Sequence, residues 1–339
     1  MKKAGIIFLI IIILLAVSLK VVDLMQPVNS NNDENILIEV KRGASAQKIV
    51  DTLYIHNLIK SRLVFRTYLH LTEADQNLQA GYYYLNQSME MVEIIDQLEK
   101  GGNAVFKVTI PEGFSVDEVI DRLAAKSRHS IEDYKAVLDN ENLGYEFIPK
   151  DNSDLIFRLE GFLYPNTYTI PLGYDAGETI NVLLNSFNEN IVKGIYNNEK
   201  NIDYSFYEIL TIASMIEEEA KFDDEKAIIA SVIYNRLKED MLLQIDATVQ
   251  YILDEKKQRL LYKDLDIESP YNTYLNNGLP PGPICSPGDK AIQAALNPDE
   301  TDYLFYFALE NGEHVFTESY QEHIRKQNEI KNEGTNNGG

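Results

Sequence analysis

The start of the chain constrains it most. Ala4 to Leu19 contains no charged residue, and Val21 and Val22 carry the apolar run past Lys20. A bilayer core about 30 Å thick needs about 20 apolar residues in a helix. Residues 1–25 therefore read as a cytoplasmic tip and a transmembrane helix. Lys2 and Lys3 precede the run and a strongly acidic body follows, so the bias of basic residues towards the cytoplasm predicts a single-pass cell-membrane protein with its body outside. Ala16-Val17-Ser18 also fits a signal-peptide cleavage site. Either way the body is exported.

The chain carries 53 acidic residues against 31 basic ones, a net charge of −22. Phosphate backbones are bound by clustered Lys and Arg, so no nucleic-acid partner is expected. The single cysteine, Cys285, cannot form an internal disulfide and is expected to be a small buried residue. His56, His70, His129, His314 and His323 show no metal-ligand spacing, and no Gly-rich phosphate loop is present. The chemistry is expected to need no metal and no cofactor.

Residues 26–35 are polar and aperiodic and read as a linker. Ile36 to Val40 alternates like a strand, Gly43 turns, and Ser45 can cap a helix carrying Ile49, Val50 and Leu53. The pattern recurs seventy positions on. Val108 to Ile110 is strand-like, Gly113 turns, Ser115 and Glu118 form a capping box, and Val119, Ile120 and Leu123 repeat the apolar positions. Between the copies, Ala80 to Leu85 reads as a strand and Ser88 to Gly101 as an N-capped helix ended by glycine. Helical periods and tyrosines dominate from about Leu155. The division predicted is a module at 36–104, a second strand-turn-helix unit at 105–154, a mainly helical domain with short strands at 155–327, and a disordered tail at 328–339. The expected class is α+β.

Tyr207 to Lys221 has Ile209, Ile212, Ala213, Ile216 and Ala220 on one helical stripe. Glu217 and Glu219 fall on opposite flanks of that stripe, and Glu218 points away from it. A carboxyl at an apolar boundary is partly desolvated, which favours its protonated form and suits a general acid. Glu218 is expected to be a surface carboxylate. A solvated acidic helix end would produce the same Glu run.

Six ordered motifs change that balance: Glu160-Gly-Phe-Leu-Tyr-Pro-Asn-Thr-Tyr168, Ala213-Ser-Met-Ile-Glu-Glu-Glu219, Val232-Ile-Tyr-Asn-Arg-Leu237, Leu243-Gln-Ile-Asp-Ala-Thr-Val249, Ser269-Pro-Tyr-Asn-Thr-Tyr274 and Gly278-Leu-Pro-Pro-Gly-Pro283. Together they resemble the endolytic murein transglycosylase family, also called YceG-like. The first strand-turn-helix is similar to half of a LysM-type module, a βααβ fold that binds N-acetylglucosamine polymers. Asn166 stands where the family commonly has Asp, and Ala247 where it commonly has Pro.

The resemblance implies a lytic transglycosylase that cuts the β-1,4 bond between N-acetylmuramic acid and N-acetylglucosamine in nascent peptidoglycan and leaves 1,6-anhydromuramyl ends. It places the catalytic acid and base on Glu217. Glu160, Tyr164, Tyr168, Glu219, Gln244, Asp246, Asn272, Thr273 and Tyr274, with Tyr271 beside them, are the candidate sugar-binding groups. Asn235 and Arg236 are expected to brace the fold. Expected partners are peptidoglycan strands, the cytoplasmic membrane, and proteins of cell-wall synthesis or division. Two other readings stay open: a non-catalytic membrane-anchored wall-binding scaffold, and a hydrolytic muramidase with a second carboxylate among Glu219, Asp246 and Glu160.

Overall fold

The computed structural model describes residues 2–138, 143–150, 154–196 and 204–336. Its helices and strands mix as an α+β chain, with one apolar N-terminal helix among the described residues long enough to cross a membrane. That helix, α1 (Lys2–Met25), spans about 30 Å along Gly5–Met25 at about 1.5 Å per residue, and its large side chains from Ile6 to Leu19 are exposed. Lys2 and Lys3, which carry the orientation expectation, have side chains outside the described residues.

The chain packs as two units, one of residues 1–107 and 169–174, the other of residues 108–168 and 175–339. In the first unit β1 (Ile36–Val40) leads to α2 (Ala46–Ile55), α3 (Arg62–Thr72), β2 (Gly81–Leu85) and α4 (Met91–Lys100). The strands β1 and β2 pair antiparallel, with Ile36 opposite Leu85 and Val40 opposite Gly81. Ser45 caps α2 by accepting from the Lys48 N–H, and Ile49, Val50 and Leu53 are buried with Phe65, Tyr83 and Ile94. The helix expected from Ser88 starts instead at Met91. The Glu90 N–H donates to the Glu93 carboxylate, whereas Ser88 turns back to Asn86. The linker is tied down: the Asn29 N–H donates to the Gln87 carbonyl, and Asn86 Nδ2 donates to Asn35 Oδ1.

β3 (Val105–Ile110) pairs with a later strand, and α5 (Val116–Ala124) and α6 (Ile131–Leu138) follow it. Ser115 and Glu118 close the expected capping box on α5, and Val119, Ile120 and Leu123 are fully buried. β4 (Asn166–Pro171), the partner of β3, precedes α7 (Ala176–Phe187). Residues 108–168 pack with the second unit, while the start of β3 up to Lys107 packs with the first.

At the heart of the second unit lies α8 (Phe206–Glu219), capped by Ser205. The single stripe expected for it is an underestimate, because every residue from Ile209 to Ile216 is buried. The helices α9 (Lys226–Lys238), α10 (Asp246–Tyr251) and α11 (Asp289–Leu296) all pack against it. Its buried hydroxyls are satisfied locally: Thr211 Oγ1 donates to the Tyr207 carbonyl and Ser214 Oγ to that of Thr211. The hairpin β5 (Phe305–Ala308) and β6 (His314–Thr317) follows, with Phe305 opposite Thr317. The final helix, α12 (Tyr320–Asn336), continues past Gln327, where composition predicts an unordered tail. Residues 337–339 of that tail lie outside the described residues.

Candidate active site

Helix α8 ends where the fold needs a turn, and its last residues are the three acids. Glu217 keeps only 10% of its side-chain exposure. The Lys226 ammonium lies 3.4 and 3.3 Å from its two oxygens, and the Gly288 N–H donates to Glu217 Oε2 at 3.2 Å. Lys226 opens α9 and also pairs with Asp223 at 3.1 Å. Burial pulls the Lys226 ammonium towards losing its proton, but the Glu217 and Asp223 carboxylates hold it above the usual lysine range.

The segment after the Gly278–Pro283 motif is stitched to α8 and to the second turn of the repeat. The Ile284 N–H donates to Ser214 Oγ and the Cys285 thiol to the Ser214 carbonyl. Cys285 is buried, as expected of a small apolar residue. The Gly113 N–H donates to the Ser286 carbonyl at 2.9 Å, and the Ser286 N–H to that of Phe114 at 2.8 Å. Gly113 adopts φ +77°, a conformation that favours glycine. The turn brings the Glu112 carboxyl over Gly288, so close that a Cβ on Gly288 would collide with it. Burial, and then the Glu217 charge, push the Glu112 carboxyl above the usual carboxylate range. Tyr164 closes this side by donating from its hydroxyl to Asp289 Oδ1 at 2.9 Å.

The other flank of α8 carries a separate polar group. Glu219 accepts from the Tyr306 hydroxyl at 3.1 Å, and burial raises its carboxyl. Asp246 lies near it and accepts from the Tyr274 hydroxyl. The expected separation of Glu217 and Glu219 to opposite flanks therefore holds. Glu218 departs from expectation. The residue as a whole is exposed, yet its side chain keeps only 25% exposure, 3.9 Å from Lys256, and burial raises its carboxyl.

A family model, the YceG-like family, matches residues 38–329, most of the chain. This chain belongs to the YceG-like family. A Bacillus subtilis protein named endolytic murein transglycosylase is 38% identical over 310 residues, covering 88% of this chain and 86% of that one. A Streptococcus pneumoniae protein of the same name is 30% identical over 343 residues, covering 93% of this chain and 62% of the longer relative. The crystal structure of a YceG-like protein from Listeria monocytogenes, 36% identical, superposes with a TM-score of 0.62 over 86% of this chain and 99% of its own.

Several candidate sugar contacts drawn from the family motifs are structural. Glu160 is 1% exposed and accepts from the Val116 N–H and the Tyr251 hydroxyl, so it caps α5 from within the core. Asn272 and Thr273 are buried, the first donating to the Leu265 and Ile267 carbonyls, the second accepting from the Ile245 N–H. Tyr168 donates to the Tyr164 carbonyl, and Tyr271 is buried against Tyr251. Gln244 and Asp246 are exposed, at the Glu219 flank. Asn235 and Arg236 brace the fold as expected, donating to carbonyls of Thr301, Tyr303, Leu304 and Leu243. Asn166 starts β4 and accepts from the Thr167 N–H, adding no charge to the site, and Ala247 is buried within α10.

Lys226, Glu112 and Gly288 escaped sequence reasoning. A signal existed for one of them: at the repeat's offset, Gly43 matches Gly113, but Arg42 is replaced by Glu112. A turn that keeps its glycine and reverses its charge marks a changed task.

Proposed function

We propose that the chain is an endolytic murein transglycosylase, a lyase that cleaves peptidoglycan glycan strands with Glu217 as acid and then base. Membership of the family and relatives of that name support the activity. The observation that carries the residue assignment is a nearly buried carboxyl at the end of a buried helix, aimed by an ammonium and a backbone N–H.

In this reading Glu217 gives its proton to the glycosidic oxygen as the bond to the muramyl anomeric carbon breaks. The carboxylate then takes the proton of the muramyl 6-hydroxyl, whose oxygen closes on the same carbon. Atoms balance without water, and the tethered hydroxyl has the advantage of an intramolecular nucleophile. Lys226 and Gly288 hold the carboxylate in one orientation between the two transfers. Of the candidate sugar contacts, Gln244 and Asp246 are exposed, Tyr164 is buried beside Asp289 on the Glu217 side, and Glu160, Asn272 and Thr273 act through packing. The burial of Glu160 argues against it as a muramidase's second carboxylate in direct contact with a sugar.

The body works outside the cell membrane, held by α1, and the strand-helix-helix-strand order of the first unit supports a LysM-like glycan-binding role for it. Mass spectrometry of products from purified peptidoglycan tests the activity. Fragments ending in 1,6-anhydromuramic acid are expected. Reducing muramyl ends would make the protein a muramidase, and intact strands a scaffold.

A further inference from the structure

General acid catalysis needs a proton on a carboxyl, yet the Glu217 carboxyl has the Lys226 ammonium against both oxygens. An adjacent cation favours the ionised form of a carboxyl. The site contains an opposing charge. The turn bonded through Gly113 and Phe114 to Ser286 sets the Glu112 carboxyl over Gly288, the residue whose N–H donates to Glu217. Two carboxyls thus converge on one glycine from different elements, and its missing side chain is what lets them approach.

Resting on the assignment of Glu217 as the acid, we propose that Glu112 is a positioning residue for the reaction: its carboxyl, converging with that of Glu217 on Gly288, opposes the charge of Lys226 at the acid. Like charges close together disfavour ionisation of both. The upward shift of Glu112, from burial first and Glu217 second, agrees with this. The charged groups bearing on Glu112 from the elements around it are Glu217 on α8, Lys226 on α9, Asp223 in the turn before α9 and Asp289 on α11. Tyr164 feels the Glu112 charge in turn, and Glu218 Oε1 lies 3.0 Å from where a Cβ on Gly113 would sit.

The test is the pH profile of anhydro-product release from uncrosslinked glycan strands by the full-length protein in detergent. Glu112→Gln removes one of the carboxyls that oppose Lys226, so the alkaline fall should move to lower pH by about half a unit or more, roughly a threefold loss on that limb relative to the acid side. Glu112→Asp, which restores the charge, should move the limb back. Lys226→Met should move it the opposite way, with thermal melts run on each variant. Should Lys226→Met not fold, the Glu112→Gln profile decides alone. A Glu112→Gln profile of wild-type shape, at whatever height, overturns the proposal. Anhydro product persisting in Glu217→Gln would instead overturn the assignment of the acid, a separate outcome read in the same assay.

Discussion

Replacing Glu160 by Gln should change how the stability of the second unit depends on pH. Complete burial pushes the Glu160 carboxyl from 4.5 to about 8, against the downward pull of the Tyr251 hydroxyl and the Val116 and Gly161 N–H groups. Below about 4.5 the folded and unfolded chains both hold this proton. Between there and about 8 only the folded chain keeps it, so the stability contributed by the protonated group is fully present at low pH and is lost as the pH rises through about 8. Each pH unit is worth about 1.4 kcal/mol, which makes the full loss on the order of 5 kcal/mol. The amide of Glu160→Gln keeps the shape and can still accept from the Val116 N–H, but it cannot ionise. Any cost of placing an NH₂ group at the Tyr251 oxygen is the same at every pH, so the slope is diagnostic and the absolute stability is not. The chain has 21 tyrosines and no tryptophan, so near-ultraviolet circular dichroism during urea unfolding is a suitable probe. The variant should gain stability relative to wild type steadily from about pH 5 to about pH 8 and then level off. Parallel curves across that range would mean that Glu160 is ionised in the folded protein, and would refute the reasoning.

Glu217→Gln should stay folded, with a lowered melting temperature because the buried Lys226 loses one of its carboxylate partners, and should lower anhydro-product release by about 10²- to 10⁴-fold, towards the upper end because one group serves both transfers; near wild-type product from a folded variant would remove Glu217 from the mechanism. Glu218→Gln alters a partly buried carboxyl paired loosely with Lys256, and should cost less than about tenfold in the same assay. Tyr306→Phe deprives the half-buried Glu219 of a donor and should lower stability by about 1–3 kcal/mol in urea titrations. Phe65→Ala opens a cavity in the fully buried core of the first unit and should cost that unit about 3–5 kcal/mol. Protease added to intact spheroplasts should degrade the body while leaving α1 in the membrane; a protected body would reverse the orientation.

Features that depend on neighbours in the chain were legible before folding. The apolar run of α1, the Ser45 cap of α2 and the Ser115–Glu118 capping box of α5 involve groups within a few residues of one another, so spacing alone specifies them. The Glu217 and Glu219 flanks followed from helical geometry in the same way. Roles set by burial or by distant partners were decided only by tertiary packing. Glu160 sits in a motif that resembles a cleft residue, but the arrival of Val116 and Tyr251 makes it a core acid. Packing of α9, α10 and α11 around α8 buries faces that one stripe would leave open. Lys226 lies nine positions from Glu217, beyond the reach of helical periodicity, and meets it only because the chain turns between α8 and α9. Glu112 and Gly288 come from distant parts of the second unit's sequence and meet through two backbone bonds at Ser286. Short-range hydrogen bonds and periodicity are written in the order of residues. Desolvation and charge pairing act through space, so the surroundings of Glu217 exist only once the chain has closed around α8.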